Sequence, residues 1–114
     1  MAILTKSAIL SAEDFEYAIV PCPEWGGDVR VRGLTAADQQ YITRLNSSDK
    51  QDEMTLAVFM RGVVDENGDR LFTDNRDRDE LKKRSFAVIE RVTKKIAELT
   101  GRSDEESIEN ARKN

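Results

Sequence analysis

Oxygen-bearing side chains cluster around Gly68, and of all the patterns in the sequence this one is most typical of metal chemistry. Asp65, Asn67 and Asp69 occupy alternate positions, as the ligands of a calcium-binding loop do. Such a loop needs glycine at its sixth position and a bidentate acid at its twelfth. Counted from Asp65, the glycine here is fourth and the twelfth residue is Arg76. The spacing therefore favours a tight turn over a calcium site.

Catalytic chemistry has few candidate groups in this chain. There is no histidine, so the serine and threonine hydroxyls lack the usual base that would activate them. The one cysteine, Cys22, cannot form an internal disulfide or a thiolate metal cage, and an unpaired thiol is typical of a reducing compartment. We therefore predict that the protein is not an enzyme and that it uses no metal and no cofactor.

The charge of the chain argues against general binding to nucleic acid. Twenty-two acidic and 18 basic residues give a formal net charge of −4. Residues 81–102 form one basic stripe, with a local charge of +5. This stripe could contact DNA or an acidic protein, or it could be a solvated helix face. Because no arginine- or lysine-rich loop with interleaved aromatic residues accompanies it, the sequence favours the solvated face over nucleic acid.

The N-terminal residues do not form a secretory signal, because Lys6 divides their apolar stretch and acidic residues follow. No run approaches the ~20 apolar residues of a membrane-spanning helix. We expect a cytosolic protein without a membrane partner.

The hydrophobic pattern changes from strand-like to helical after the first third of the chain. Residues 15–20 and 28–32 predict two strands joined by a turn-rich segment. Periodic apolar residues then predict helices over residues 36–45, 52–64 and 77–99, with Thr35 and Asp38 as an N-terminal cap of the first helix. The predicted fold is α+β and mainly α, with an N-terminal β-hairpin packed on a small bundle of three to four helices.

We expect a single domain over residues 1–101. It would comprise an N-terminal arm (1–14), the hairpin (15–33) and the helical part (35–101). Residues 102–114 form an acidic C-terminal tail with little to bury, which predicts a short or frayed helix or a disordered segment, although Ser103 and Glu106 could cap a helix there.

The helix predicted over residues 52–64 is apolar around more than half of its circumference, more than one small core can cover. We therefore predict that another chain covers part of it. Trp25, in the hairpin turn, could pack into the core or face a partner. The candidate partner-binding residues are Trp25, Met54, Phe59, Met60 and Val63.

Two segments of the sequence resemble a known family. Residues 20–32 read VPCPEWGGDVRVR and lead into LTAAD at 34–38, and residues 63–72 read VVDENGDRLF. In these segments, and over about residues 15–101, the chain resembles the tail assembly chaperones of long-tailed bacteriophages. The shared features are two turns with their flanking strands, and they include no catalytic motif.

The resemblance implies a non-enzymatic protein of the host cytoplasm that binds the tape measure protein, assists tail tube assembly and is absent from the mature virion. It also implies contact with the tail tube protein through a longer, frameshifted form, and self-association is possible. Two alternatives remain open at this stage. One is a small virion connector or structural protein, and the other is a helical DNA-binding regulator that uses residues 82–95.

Overall fold

A computed structural model describes residues 3–46 and 53–101. In chain order, the elements are α1 (Lys6–Leu10), β1 (Tyr17–Cys22), a 3₁₀ turn (Pro23–Trp25), β2 (Gly27–Arg32), α2 (Ala36–Asn46), α3 (Met54–Gly62), β3 (Val63–Val64), α4 (Asn75–Leu81) and α5 (Phe86–Leu99). The predicted fold class, a hairpin followed by packed helices, is confirmed.

The hairpin pairs β1 with β2 in antiparallel register, from Tyr17 opposite Arg32 to Cys22 opposite Gly27. The 3₁₀ turn connects the strands, and Gly26 ends it with a φ of +84°, a conformation that favours glycine. Alternate residues of β2 point to opposite faces, so Val31 is buried while Arg30 and Arg32 lie on the other face.

A third strand was not predicted. Val63 and Val64 pair with Val31 and Arg30 of β2, so the helix predicted over residues 52–64 ends at Gly62. Both valines are almost fully buried. Successive strand residues point to opposite sides of a sheet, and a strand conformation therefore buries two adjacent β-branched side chains against different neighbours. The start predicted for this helix at Asp52 lies outside the described residues.

The long helix predicted over residues 77–99 is also wrong, because the chain forms α4 and α5 with a break between them. Ser85 adopts an extended backbone with a ψ of 125° and begins α5, where its carbonyl accepts a hydrogen bond from the Ile89 N–H. One helical turn after the buried Leu81, the sequence offers only Arg84 and Ser85. The series of apolar residues on this helix face is interrupted there, so a continuous helix would bury no apolar side chain at that point.

The main core lies where α3 and α5 pack against the hairpin. Val31, Phe59, Val88, Val92 and Ile96 are among its fully buried members. A second, smaller cluster joins α2 to the other side of α3; its buried residues are Ile42, Leu45 and Ala57. The wide apolar surface of α3 is therefore covered largely by its own chain.

The predicted N-terminal cap of α2 is confirmed as a reciprocal capping box. The Asp38 N–H donates to Thr35 Oγ1 at 3.0 Å, and the Thr35 N–H donates to Asp38 Oδ2 at 3.0 Å. Burial alone would raise the pKa of Asp38. Hydrogen bonds from Thr35 and from the Arg61 guanidinium outweigh burial and lower that pKa.

The N-terminal arm contains a helix that the sequence did not predict. α1 is capped by Thr5 and buries none of its residues. Ile3, Leu4, Ile9 and Leu10 of this arm are exposed. The predicted C-terminal tail and its cap at Ser103 lie outside the described residues. Within residues 3–46 and 53–101, no helix is long and apolar enough to span a membrane.

Candidate functional site

An apolar groove of about 740 Å³ lies beside the turn of the hairpin. Its volume falls in the range of about 300–1,000 Å³ that is typical of binding clefts. The hairpin contributes one wall and the segment between β3 and α5 contributes the other. The main apolar residues of the groove are Ile19, Trp25, Phe59, Leu71, Phe72 and Leu81.

Trp25 is held at the groove from two sides. Its ring packs edge-on against the Phe59 ring, with centroids 6.0 Å apart. The Arg91 guanidinium on α5 forms a two-pronged ion pair with Glu24, at 2.9 and 2.6 Å, and also donates to the Pro21 carbonyl. These contacts tie the turn to α5, and they leave Trp25 36% exposed.

Phe59 and Phe72 form the aromatic floor of the groove. Their ring centroids are 5.7 Å apart, and Phe59 is only 1% exposed. Leu71 and Ile19 lie at the surface, at 54% and 57% exposure. The groove therefore combines a fixed aromatic floor with exposed aliphatic edges, which suits the apolar face of a helix.

The rim of the groove is predominantly acidic. Glu24, Asp28, Asp65 and Glu66 contribute four carboxylates, and Arg30 and Arg84 contribute two guanidinium groups. Arg30 stacks on Tyr17 and donates to the Asp65 and Glu66 carbonyls, so this arginine fastens the turn after β3 to the hairpin. An apolar segment that also carried basic residues would match this rim.

The structure buries three of the five predicted partner-binding residues: Phe59, Met60 and Val63. The hairpin and α5 cover them, so the expectation that parts of these side chains are exposed is wrong. Phe59 and Val63 still line the groove from beneath, together with Trp25. Met54 packs against the α2 cluster, away from the groove residues. Whether any of these residues binds a partner stays a prediction.

Sequence reasoning missed three apolar residues of the groove: the exposed Ile19 and Leu71 and the half-buried Phe72. A signal for Ile19 existed, because alternation in the first strand places it on the face opposite the buried Val20. Leu71 and Phe72 gave no comparable signal, since their position depends on the bridge between Val64 and Arg70.

The described residues do not assemble a metal centre: no group of three or more Asp, Glu, Cys or His side chains is placed to hold an ion. In the turn that resembles a calcium loop, Asp65 Oδ1 accepts hydrogen bonds from the Asn67 and Asp69 N–H groups. Burial raises the pKa of the Cys22 thiol, which disfavours the reactive thiolate.

Among solved structures, the chain matches one described as the structure of the bacteriophage HK97 tail assembly chaperone. The match has a TM-score of 0.64 and covers 82% of this chain and 90% of the other. The chain has the fold of this tail assembly chaperone. At 17% identity, the likeness concerns the fold, and it confirms at that level the resemblance found in the sequence.

No family model matches the chain, and no curated protein matches it. The tail assembly chaperone fold therefore rests on the arrangement of the hairpin and helices, which cover most of both chains.

Proposed function

We propose that this protein is a bacteriophage tail assembly chaperone that binds amphipathic helical segments of the tape measure protein in the groove beside the hairpin. In this role it assists assembly of the tail tube in the host cytoplasm, catalyses no reaction and is absent from the mature virion. The tail tube protein would be engaged through a longer, frameshifted form of the chain. The single observation that carries the proposal is the shared fold with the HK97 chaperone.

The groove supports this proposal because its chemistry suits such a client. A long helical protein that has not yet been enclosed by its tube exposes apolar stripes, and these need temporary cover. The aromatic floor around Phe59 gives the apolar contact, and the acidic rim favours client segments with flanking lysine or arginine. Many copies along one client would supply avidity, so each contact can remain weak and reversible.

Co-expression with the tape measure protein tests the proposal, and two isoleucines provide a matched pair of variants. Ile19 lies in the groove at 57% exposure, and Ile9 lies on α1, outside the groove, at 58% exposure. We expect the wild-type chain and I9S to keep the client soluble and to co-purify with it. I19S should lose most of both effects, since it removes apolar surface only from the groove.

The proposal fails if the client is equally soluble without the chain and no complex is recovered. If the complex forms and I19S retains it as fully as I9S does, the groove is not the binding site. The chaperone role itself would then still stand. Mass spectrometry of purified phage particles tests whether the chaperone is absent from the mature virion. We expect to find no copies of the chain in the particles. Recovery at the stoichiometry of a structural protein would instead support the virion connector.

A further inference from the structure

Two arginines pair with a single carboxylate where β2, α2 and α3 meet, and a third arginine lies nearby. Arg61 Nη1 pairs with Asp38 Oδ1 at 2.7 Å, and Arg32 Nη2 lies 3.9 Å from Asp38 Oδ2. Arg70 is close enough to this group for Arg61 and Arg32 to lower its pKa, after the larger effect of burial. We call Arg32, Arg61 and Arg70 with Asp38 the arginine cluster. None of its members lines the groove.

The arginine cluster carries an excess of two positive charges, and its side chains are largely shielded from solvent. The Asp38 side chain is 7% exposed, and the Arg32 and Arg61 side chains are 15% and 24% exposed. Among the described residues, Asp38 is the carboxylate that pairs with Arg32 and Arg61, whereas Arg70 pairs with no carboxylate and donates to the Met60 and Phe72 carbonyls. Guanidinium groups that water screens poorly repel one another more strongly, so the cluster favours a further anion.

Arg32 has unused hydrogen-bonding capacity. Its Nε is buried and has no hydrogen-bond partner, and its Nη2 is too far from Asp38 for a good hydrogen bond. Asp38 cannot serve it better, because the same carboxylate already accepts from the Thr35 N–H and from Arg61. A buried donor without a partner is uncommon in folded proteins, so Arg32 lacks sufficient acceptors on its own chain.

Aromatic rings hold two of these guanidinium groups in place. Arg32 lies over the Phe15 ring at 4.8 Å, and Arg61 lies over the Tyr41 ring at 4.0 Å. Stacking covers the face of a guanidinium and leaves the N–H donors in its plane available. A planar oxyanion such as a carboxylate matches this fork of donors.

We propose that the arginine cluster is a second binding site, which receives a carboxylate side chain from an acidic segment of a partner protein. The charge complementarity between the excess guanidinium groups and a carboxylate is the basis for this choice of partner. A nucleic acid fits less well, because phosphate backbones are bound by extended basic tracks. This cluster is compact, and it lies on a chain whose net charge is −4.

Fluorescence anisotropy of the full chain with a labelled hexaglutamate peptide tests the site. Arg32→Gln should weaken binding about tenfold, because it removes a charged donor from the cluster. Arg76→Gln is the matched control: it makes the same change at an arginine whose side chain is 90% exposed and paired with Asp74. It should change the dissociation constant less than twofold.

Two results would overturn the proposal. One is the absence of saturable peptide binding at low salt, and the other is an equal loss of affinity in the two variants, which would indicate attraction by net charge alone. A single-stranded oligonucleotide of six bases is tested in parallel. If it binds more tightly than the peptide and depends on Arg32 in the same way, the ligand is nucleic acid and the proposal is wrong.

A measurement on the wild-type chain keeps the test independent of how the variant folds. In a ¹⁵N-correlated NMR spectrum, the Arg32 Nε–H signal can be assigned by its loss in Arg32→Lys. We expect this signal to shift during titration with hexaglutamate, and an unmoved signal at saturation contradicts the proposal. Because the groove and the arginine cluster share no residue, I19S should leave peptide binding unchanged, and the two proposals can fail separately.

Discussion

Gly62 faces Ile96 so closely that a Cβ atom on Gly62 would stand 2.5 Å from the Ile96 Cδ1 atom. This is the point where the last turn of α3 meets α5 in the main core. Ile96 has no exposed surface and so has little room to move away. The absence of a side chain at Gly62 thus sets how closely α3 and α5 approach each other. It thereby also sets the position of the groove floor.

Gly62→Ala should destabilise the fold by about 1–3 kcal/mol, because the added methyl group overpacks a full core. Urea denaturation followed by circular dichroism measures this change. Gly27→Ala is the control: a Cβ at Gly27 meets no atom within 4 Å, so we expect it to be close to neutral. Equal stability of Gly62→Ala and the wild type would show that α3 and α5 are less tightly packed than described.

The ion pair between Glu24 and Arg91 should make stability depend on pH. The Arg91 side chain, and then a backbone hydrogen bond, lower the pKa of Glu24 from 4.5 to about 2. Folding therefore favours the ionised carboxylate. Its contribution is present above the ordinary pKa of 4.5 and is lost as the pH falls toward about 2.

Glu24→Gln should accordingly be less stable than the wild type near neutral pH, and the difference should disappear as the pH approaches 2. Denaturation midpoints at a series of pH values measure it. Glu98→Gln removes a pair of similar exposure that has a single contact of 3.3 Å, to Lys95 within α5, and it should have little effect at any of these pH values. A difference between wild type and Glu24→Gln that persists unchanged at the acidic end contradicts the assigned role of this pair.

The sequence predicted those elements whose signals are local. Alternation of apolar and polar residues predicted the hairpin, and the Thr35–Asp38 pair predicted the start of α2, because a capping box is formed within four residues. It failed where distant contacts decide the structure. Val63 and Val64 fit a helix or a strand equally well, and their pairing with β2 makes them a strand.

The candidate site was predicted less well than the fold. Trp25 was singled out because a large aromatic residue in a turn must either fold inward or face a partner, and the structure places it in the groove. Part of the helix around Phe59 and Met60 was expected to be covered by another chain, because its sequence does not reveal that α2, α5 and the hairpin surround it. The arginine cluster was missed altogether, as its members are brought together from β2, α2, α3 and the segment that follows β3.

Fluorescence of Trp25 tests the central claim most directly, because it is the one tryptophan of the chain and it lies in the groove. The titrant is a series of tryptophan-free amphipathic helical peptides taken from the tape measure protein. At least one peptide should cause a saturable blue shift, as its apolar face removes water from the indole ring, and I19S should weaken that response while I9S does not. An emission spectrum unchanged by every peptide, under conditions where the full-length client is bound, would contradict the groove as the binding site.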